Sequence, residues 1–158
     1  MEQKKYLSDK NKQLIFLNKK ADNRFWDELW NKDAEWINNI TKSVPLNHPL
    51  IKKLSNLSKS GVVLEAGCGR GQYVYALNSL GTKVIGVDYA IKTVQHLNKA
   101  LPDLDIRQGD IFDLSDIKDN SISVYYSGGV IEHFWQGYDK IIKECARVLK
   151  PGGYAVIT

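Results

Sequence analysis

Cysteine is scarce in this 158-residue chain, and its two occurrences, Cys68 and Cys145, have neither ligand-like nor redox-like spacing. A disulfide framework, a zinc site and a Cys-x-x-Cys couple all lack support, and a reducing cytoplasm is the expected compartment. Long apolar runs are missing as well. No stretch approaches the ~18 residues needed to span a bilayer, and the opening Met1-Glu2-Gln3-Lys4-Lys5 lacks the apolar segment of a signal peptide. Internal repeats and low-complexity stretches are absent. So is a dominant charge: 22 basic against 18 acidic side chains leave a net +4. The surplus sits in residues 1–60, with 12 basic and 7 acidic side chains, while residues 61–158 hold 10 and 11. This reads as a solvated lysine-rich surface, because no basic stripe interleaved with stacking aromatics marks a nucleic-acid footprint. What remains, at 43% hydrophobic and 25% charged, is the profile of one soluble globular chain.

Residues 1–57 read as a polar helical arm or cap. Leu14-Ile15-Phe16-Leu17 forms an apolar island between lysines, and a second, aromatic patch runs from Phe25 to Trp36. In that patch Phe25 and Leu29, and likewise Trp26 and Trp30, are four residues apart, which puts each pair on one side of a helix. Residues 58–158 have another character. Short β-branched runs alternate with helical segments, the pattern of repeated βαβ units and a mostly parallel sheet. Strands are predicted at 62–66, 83–88, 105–108, 123–126 and 154–158, with helices over roughly 70–80, 90–100 and 138–149. Gly81 and Pro102 mark two helix ends, and Lys150-Pro151-Gly152-Gly153 a turn.

The chemistry concentrates where the first of these strands ends. Val63-Leu64-Glu65-Ala66-Gly67-Cys68-Gly69-Arg70-Gly71 is a strand entering a glycine turn that opens a helix. Such a turn lets a ligand approach the backbone closely, but alone it is a weak signal. A dinucleotide fingerprint starting at Gly67 would need glycine where Gln72 stands, and the third glycine comes one residue early at Gly71, which argues against NAD or FAD. Asp88, ending the second strand 17 residues past Gly71, can accept from both hydroxyls of a ribose. Tyr89 can lie on an adenine face, and Asp110 can accept from an adenine amino group. All these groups lie at carboxyl ends of strands, where open α/β sheets bind ligands. The helix starting near Arg70 turns its free N–H groups toward the same place, a favourable field for a carboxylate.

The ordered series Glu65-x-Gly67-x-Gly69-x-Gly71, Val87-Asp88, Gly109-Asp110, Ser127 to His133 and Ala146 to Gly153 resembles the motif set of class I S-adenosylmethionine-dependent methyltransferases, particularly the small-molecule branch. The likeness covers residues 60–158. It implies a Rossmann-like α/β/α fold with a mostly parallel sheet in the order 3-2-1-4-5. The two further strands of the family's usual 3-2-1-4-5-7-6 sheet have no counterpart in the sequence, so the resemblance implies a chain truncated at its C-terminus. The resemblance implies that Gly67, Gly69 and Gly71 line the methionine end of S-adenosyl-L-methionine. Asp88 would hold the ribose, Tyr89 and Ile111 flank the adenine, and Asp110 bind its amino group. Ser127 would offer its backbone carbonyl to the ammonium, and Glu65 would order the loop and meet that ammonium directly or through water. S-adenosyl-L-homocysteine would be the product.

Transfer from a sulfonium needs alignment and exclusion of water more than a strong base. Two readings of Glu132 and His133 stand: polar catalytic groups for a small-molecule acceptor, or residues that cap the segment after the fourth strand. Related enzymes that bind a divalent metal carry Glu-Val-Ile-Glu-His here; Gly129 replaces the first carboxylate, so no metal is expected. The aromatic patch resembles the N-terminal lid of such enzymes, with Trp30 or Trp26 facing the sulfonium or, alternatively, only burying the helix. The fifth strand, charge-free and at an edge, invites a homodimer or cover by the N-terminal arm. The functional expectation is a methyltransferase for a small-molecule acceptor; the alternative is a cofactor-binding module inactive alone or within a larger assembly.

Overall fold

A computed structural model of the chain describes residues 4–8, 13–17, 22–30, 35–134 and 137–158. The first two segments overturn one expectation. β1 (Lys4–Ser8) and β2 (Gln13–Leu17) pair antiparallel, Lys4 opposite Leu17 and Ser8 opposite Gln13, where a helical arm was expected. The reason is local. Leu14 to Leu17 is a short continuous apolar run with no 3.6-residue period, and such a run suits a strand as well as a buried helix.

The other elements described in the N-terminal part are helical: α1 (Asn23–Trp30), a 3-10 turn over Trp36–Asn39, α2 (Ile40–Ser43) and α3 (Pro49–Ser58). Proline at the first position and His48 Nδ1, which accepts from Leu50 N–H at 3.3 Å, start α3. Next come β3 (Val63–Ala66), α4 (Gln72–Ser79), β4 (Val84–Asp88), α5 (Ile91–Ala100), β5 (Asp105–Gln108), β6 (Ile122–Ser127), α6 (Asp139–Val148) and β7 (Leu149–Ile157). Gly81, at φ +74°, terminates α4 as its position predicts.

The five later strands form one parallel sheet in the order β5-β4-β3-β6-β7, which is 3-2-1-4-5 in the numbering of the sheet. β7 begins five residues earlier than expected, because Leu149 already pairs with Ile122. The Lys150-Pro151-Gly152-Gly153 turn is accommodated as an irregularity before Tyr154 pairs with Val124.

Alternation along the central strands separates two cores. Val63, Val124 and Tyr126 pack with Ile51 and Leu54 of α3, Val74 and Leu77 of α4 and Leu97 of α5. Leu64 and Tyr125 face the other way, onto Ile141, Cys145 and Val148 of α6. The molecule is therefore a three-layer α/β/α sandwich, and the buried apolar strands leave the carboxyl ends of β3, β4 and β6 as the place where backbone opens to solvent. Among the described residues no helix is long and apolar enough to cross a membrane.

Candidate functional site

Two backbone positions define the turn after β3. Gly67 has φ +85°, and a Cβ there would lie 2.5 Å from Val130 Cγ2, so neither the conformation nor the space admits a side chain. Gly69 has φ +51°, and a Cβ would come within 3.1 Å of Trp30 Cζ2. The turn is held from β4: Gly67 and Cys68 donate their N–H groups to the Val87 carbonyl at 2.8 and 3.0 Å.

Asp88 completes that hold. Its Oδ2 accepts from Gly69 N–H at 2.6 Å and its Oδ1 from Ala90 N–H at 2.9 Å. The side chain is 7% exposed. Burial pushes its carboxyl above the ordinary value, and the two N–H groups pull against that shift. Beside it, Glu65 is 4% exposed and its Oε2 has no hydrogen-bond partner among the described residues. Burial, and then the Asp88 charge, hold the Glu65 carboxyl well above its usual range, while the Val74 N–H acts in the opposite direction. An uncompensated buried carboxyl is costly unless a cation arrives to use it.

The strand ends open into a cavity of about 640 Å³, within the range of small-molecule sites. Glu65, Gly67, Gly69, Asp88, Tyr89, Asp110, Ile111, His133 and Trp30 all line it, as expected for one site. Tyr89 is exposed and Ile111 buried, and Asp110 is fixed by accepting from Phe112 N–H at 2.9 Å. Three expected residues are not among the lining groups. Gly71 is the N-cap of α4, and a Cβ on it would point at Ile106 and Leu97 in the core. The Ser127 hydroxyl donates to the Ala66 carbonyl at 2.9 Å, and its own carbonyl accepts from Thr158 N–H at 3.1 Å. Glu132 points to solvent.

Helix α1 roofs the cavity. No residue of α1 is fully buried, so a few specific contacts hold it. The Asp27 Oδ1 accepts from the N–H and hydroxyl of Thr93 at 3.1 and 3.3 Å, supplying in trans the N-terminal cap that Ala90 does not give α5. Arg70 Nε donates to the Trp30 carbonyl at 2.9 Å, and its guanidinium lies 6.0 Å from the Trp30 ring centroid and 5.3 Å from that of Trp36. Trp26 stacks on Trp30 at 5.6 Å and meets the edge of His133 at 4.9 Å. Sequence reasoning missed several other wall residues, among them Arg70, Gln72, Tyr73, Phe112, Tyr126 and Phe134. Tyr126, whose phenol burial pushes up to about 12, packs edge-on against Tyr73 at 5.5 Å. Adjacency to the glycine turn was the only sequence signal for Arg70, Gln72 and Tyr73.

Among the described residues no group of three or more His, Cys, Asp or Glu side chains could hold a metal ion. The donor set instead fits an adenosyl amino acid with a cationic centre. It offers a side-chain-free turn, an orphaned buried carboxyl, a ribose-height carboxylate and aromatic faces overhead.

Comparison with known proteins gives the same answer. Residues 64–157 match the family described as Methyltransferase domain. A protein of Mycolicibacterium smegmatis named a probable S-adenosylmethionine-dependent methyltransferase is 40% identical over 96 residues, which cover 61% of this chain and 37% of that one. A ubiquinone biosynthesis O-methyltransferase of Paracidovorax citrulli is 29% identical over 97 residues, 58% of this chain and 40% of its own. The chain thus spans less than half the length of these curated relatives. In fold it resembles the geranyl diphosphate C-methyltransferase of Streptomyces coelicolor, solved with S-adenosyl-L-homocysteine, at a TM-score of 0.60 and 16% identity over 89% of this chain and 67% of that one. With more than half of its length matched by the family, in the strand order its motifs imply, the chain belongs to the class I S-adenosylmethionine-dependent methyltransferases.

Proposed function

We propose that this chain binds S-adenosyl-L-methionine in the cavity at the ends of β3, β4 and β6 and methylates a small-molecule acceptor. The observation that carries the reading is the buried Glu65 carboxyl, with one oxygen unpartnered, beside the glycine turn that Asp88 fixes. Glu65 would take the ammonium, Asp88 the ribose hydroxyls and Asp110 the adenine amino group, with Tyr89 and Ile111 on the ring faces. When bound, the cofactor would supply a methyl group activated on a sulfonium: the acceptor atom would bond to the methyl carbon in line as the carbon–sulfur bond breaks, with S-adenosyl-L-homocysteine leaving as the neutral thioether.

The chain's own residues then have three tasks. Trp26 and Trp30 exclude water and present ring faces to positive charge. The cavity wall fixes the acceptor behind the methyl group, where alignment supplies most of the acceleration. His133, in the wall and in edge contact with Trp26, takes the acceptor's proton where the nucleophile is a hydroxyl. The small-molecule class of acceptor is supported by the aromatic side chains of the cavity wall and by relatives such as the ubiquinone biosynthesis O-methyltransferase.

The test is release of S-adenosyl-L-homocysteine with a panel of phenolic, alcoholic and amine acceptors. Turnover that falls ~10²-fold in the His133→Asn variant with unchanged cofactor affinity supports the assignment. Release of S-adenosyl-L-homocysteine with no acceptor of the panel, despite tight cofactor binding, would favour a binding module instead.

A further inference from the structure

Helix α1 covers the cavity yet buries none of its residues fully, so packing alone does not fix its place. Its far end is also bare, with no basic residue in the last turn to meet the open carbonyls and the negative end of the helix. Arg70 supplies that group from another element. It stands between Gly69 and Gly71 in the turn after β3, and its Nε donates to the carbonyl of Trp30, the last residue of α1, at 2.9 Å. The guanidinium lies 6.0 Å from the Trp30 ring centroid and 5.3 Å from that of the buried Trp36, within cation–π range.

The Trp30 ring is fixed from below as well. A Cβ on Gly69 would come 3.1 Å from Trp30 Cζ2 and 3.2 Å from its Cε2, so the ring packs on backbone that a side chain would obstruct. Glu65, Asp88 and Asp110 make the cavity wall rich in carboxyl groups suited to a cationic ligand, and a guanidinium aimed into it would oppose such a ligand. Engaged with a carbonyl and two indole rings, the Arg70 charge serves the roof instead. One turn therefore carries both the bare backbone and the anchor of the helix above it.

We propose that Arg70 is a positioning residue of this site: by clasping the Trp30 carbonyl it seats the Trp30 ring against Gly69 and fastens the roof to the glycine turn. The inference rests on the cofactor reading above and adds the residue that sets the roof in place. Arg70 acts through Trp30, and its guanidinium does not touch the ligand.

Calorimetric titration with S-adenosyl-L-homocysteine and hydrogen exchange of the ligand-free chain test the assignment. Arg70→Ala should weaken S-adenosyl-L-homocysteine about tenfold, near the loss of one charge-assisted hydrogen bond. Trp30→Ala should weaken it by a similar factor, and the double variant should lie within about twofold of Trp30→Ala, because residues that act as a unit do not add. Arg70→Lys, which keeps a cationic donor but not the planar fork, should recover part of the loss. In ligand-free Arg70→Ala the amides of α1 should exchange about tenfold faster, while those of α4 and β6 keep their wild-type rates. Losses that multiply in the double variant overturn the assignment, since Arg70 would then meet the ligand itself or only support the turn. Unchanged affinity in Arg70→Ala overturns it too, as does faster exchange in α1 and α4 alike. If the wild type takes up no S-adenosyl-L-homocysteine, the cofactor reading fails, and the α1 exchange rates still decide whether Arg70 holds the roof.

Discussion

Asp88 holds the glycine turn and is proposed to hold the ribose as well, and removing its carboxylate tests both. In the free protein its oxygens are the acceptors for Gly69 N–H and Ala90 N–H, at 2.6 and 2.9 Å, in a setting only 7% exposed. Hydrogen bonds to a charged group contribute ~1.5–3 kcal/mol each, so Asp88→Ala forfeits roughly 3–6 kcal/mol and leaves two backbone donors unpaired. Burial works the other way. The carboxyl is pushed above its ordinary 3.8 chiefly by desolvation, and that cost disappears with the charge. The balance is a loss of about 2–4 kcal/mol, or about 5–15 °C in Tm for a chain of this size. Urea unfolding followed by tryptophan fluorescence reads it. If Asp88 is the ribose acceptor proposed above, cofactor affinity should fall further than stability explains. Asp88→Asn keeps one acceptor oxygen and should lie between the two for stability. Unfolding of Asp88→Ala within ~0.5 kcal/mol of wild type, the range of an ordinary surface change, would refute the idea that this carboxylate holds the turn.

Gly67→Ala puts a methyl group 2.5 Å from Val130 Cγ2 at φ +85°. The left-handed backbone alone costs ~1–2 kcal/mol, and S-adenosyl-L-homocysteine binding should be lost while circular dichroism still reports a folded chain; retained affinity would show that the ligand passes elsewhere. Glu65 predicts an unusual pH profile. Its carboxyl is raised in the folded state, so its contribution is fully present below the ordinary value of 4.5 and is lost as pH rises through the raised value. The Tm of the ligand-free wild type should therefore fall relative to that of Glu65→Gln as pH rises above the ordinary value of 4.5. Saturating S-adenosyl-L-homocysteine should reverse the order, since only the carboxylate can pair with the ammonium, and parallel profiles in both conditions would contradict the assignment.

Much of this architecture is legible in sequence because buried parallel strands must be apolar and β-branched, and because glycine and proline interrupt them. Val84 to Asp88 and Asp105 to Gln108 lie within one residue of their expected bounds for that reason. The β1–β2 hairpin was illegible, since a four-residue apolar run carries no period to distinguish strand from helix. The site divides along similar lines. Glu65, Asp88 and Asp110 stand at strand ends, where ligand chemistry itself dictates the residue type. Tyr126 and Ser127 show what strand position leaves open: side chains alternate, so the tyrosine faces the cavity and the serine turns to the Ala66 carbonyl. Arg70 was invisible as a clasp because its partners, the Trp30 carbonyl and the Trp36 ring, lie more than thirty residues upstream in the chain.

The account depends most on the nature of the ligand. Isothermal titration of the folded chain with S-adenosyl-L-homocysteine should show saturable uptake of one equivalent, abolished in Asp88→Ala and unaffected by excess NADH. No heat with that compound or with S-adenosyl-L-methionine, while NADH or another nucleotide saturates the cavity, would contradict it.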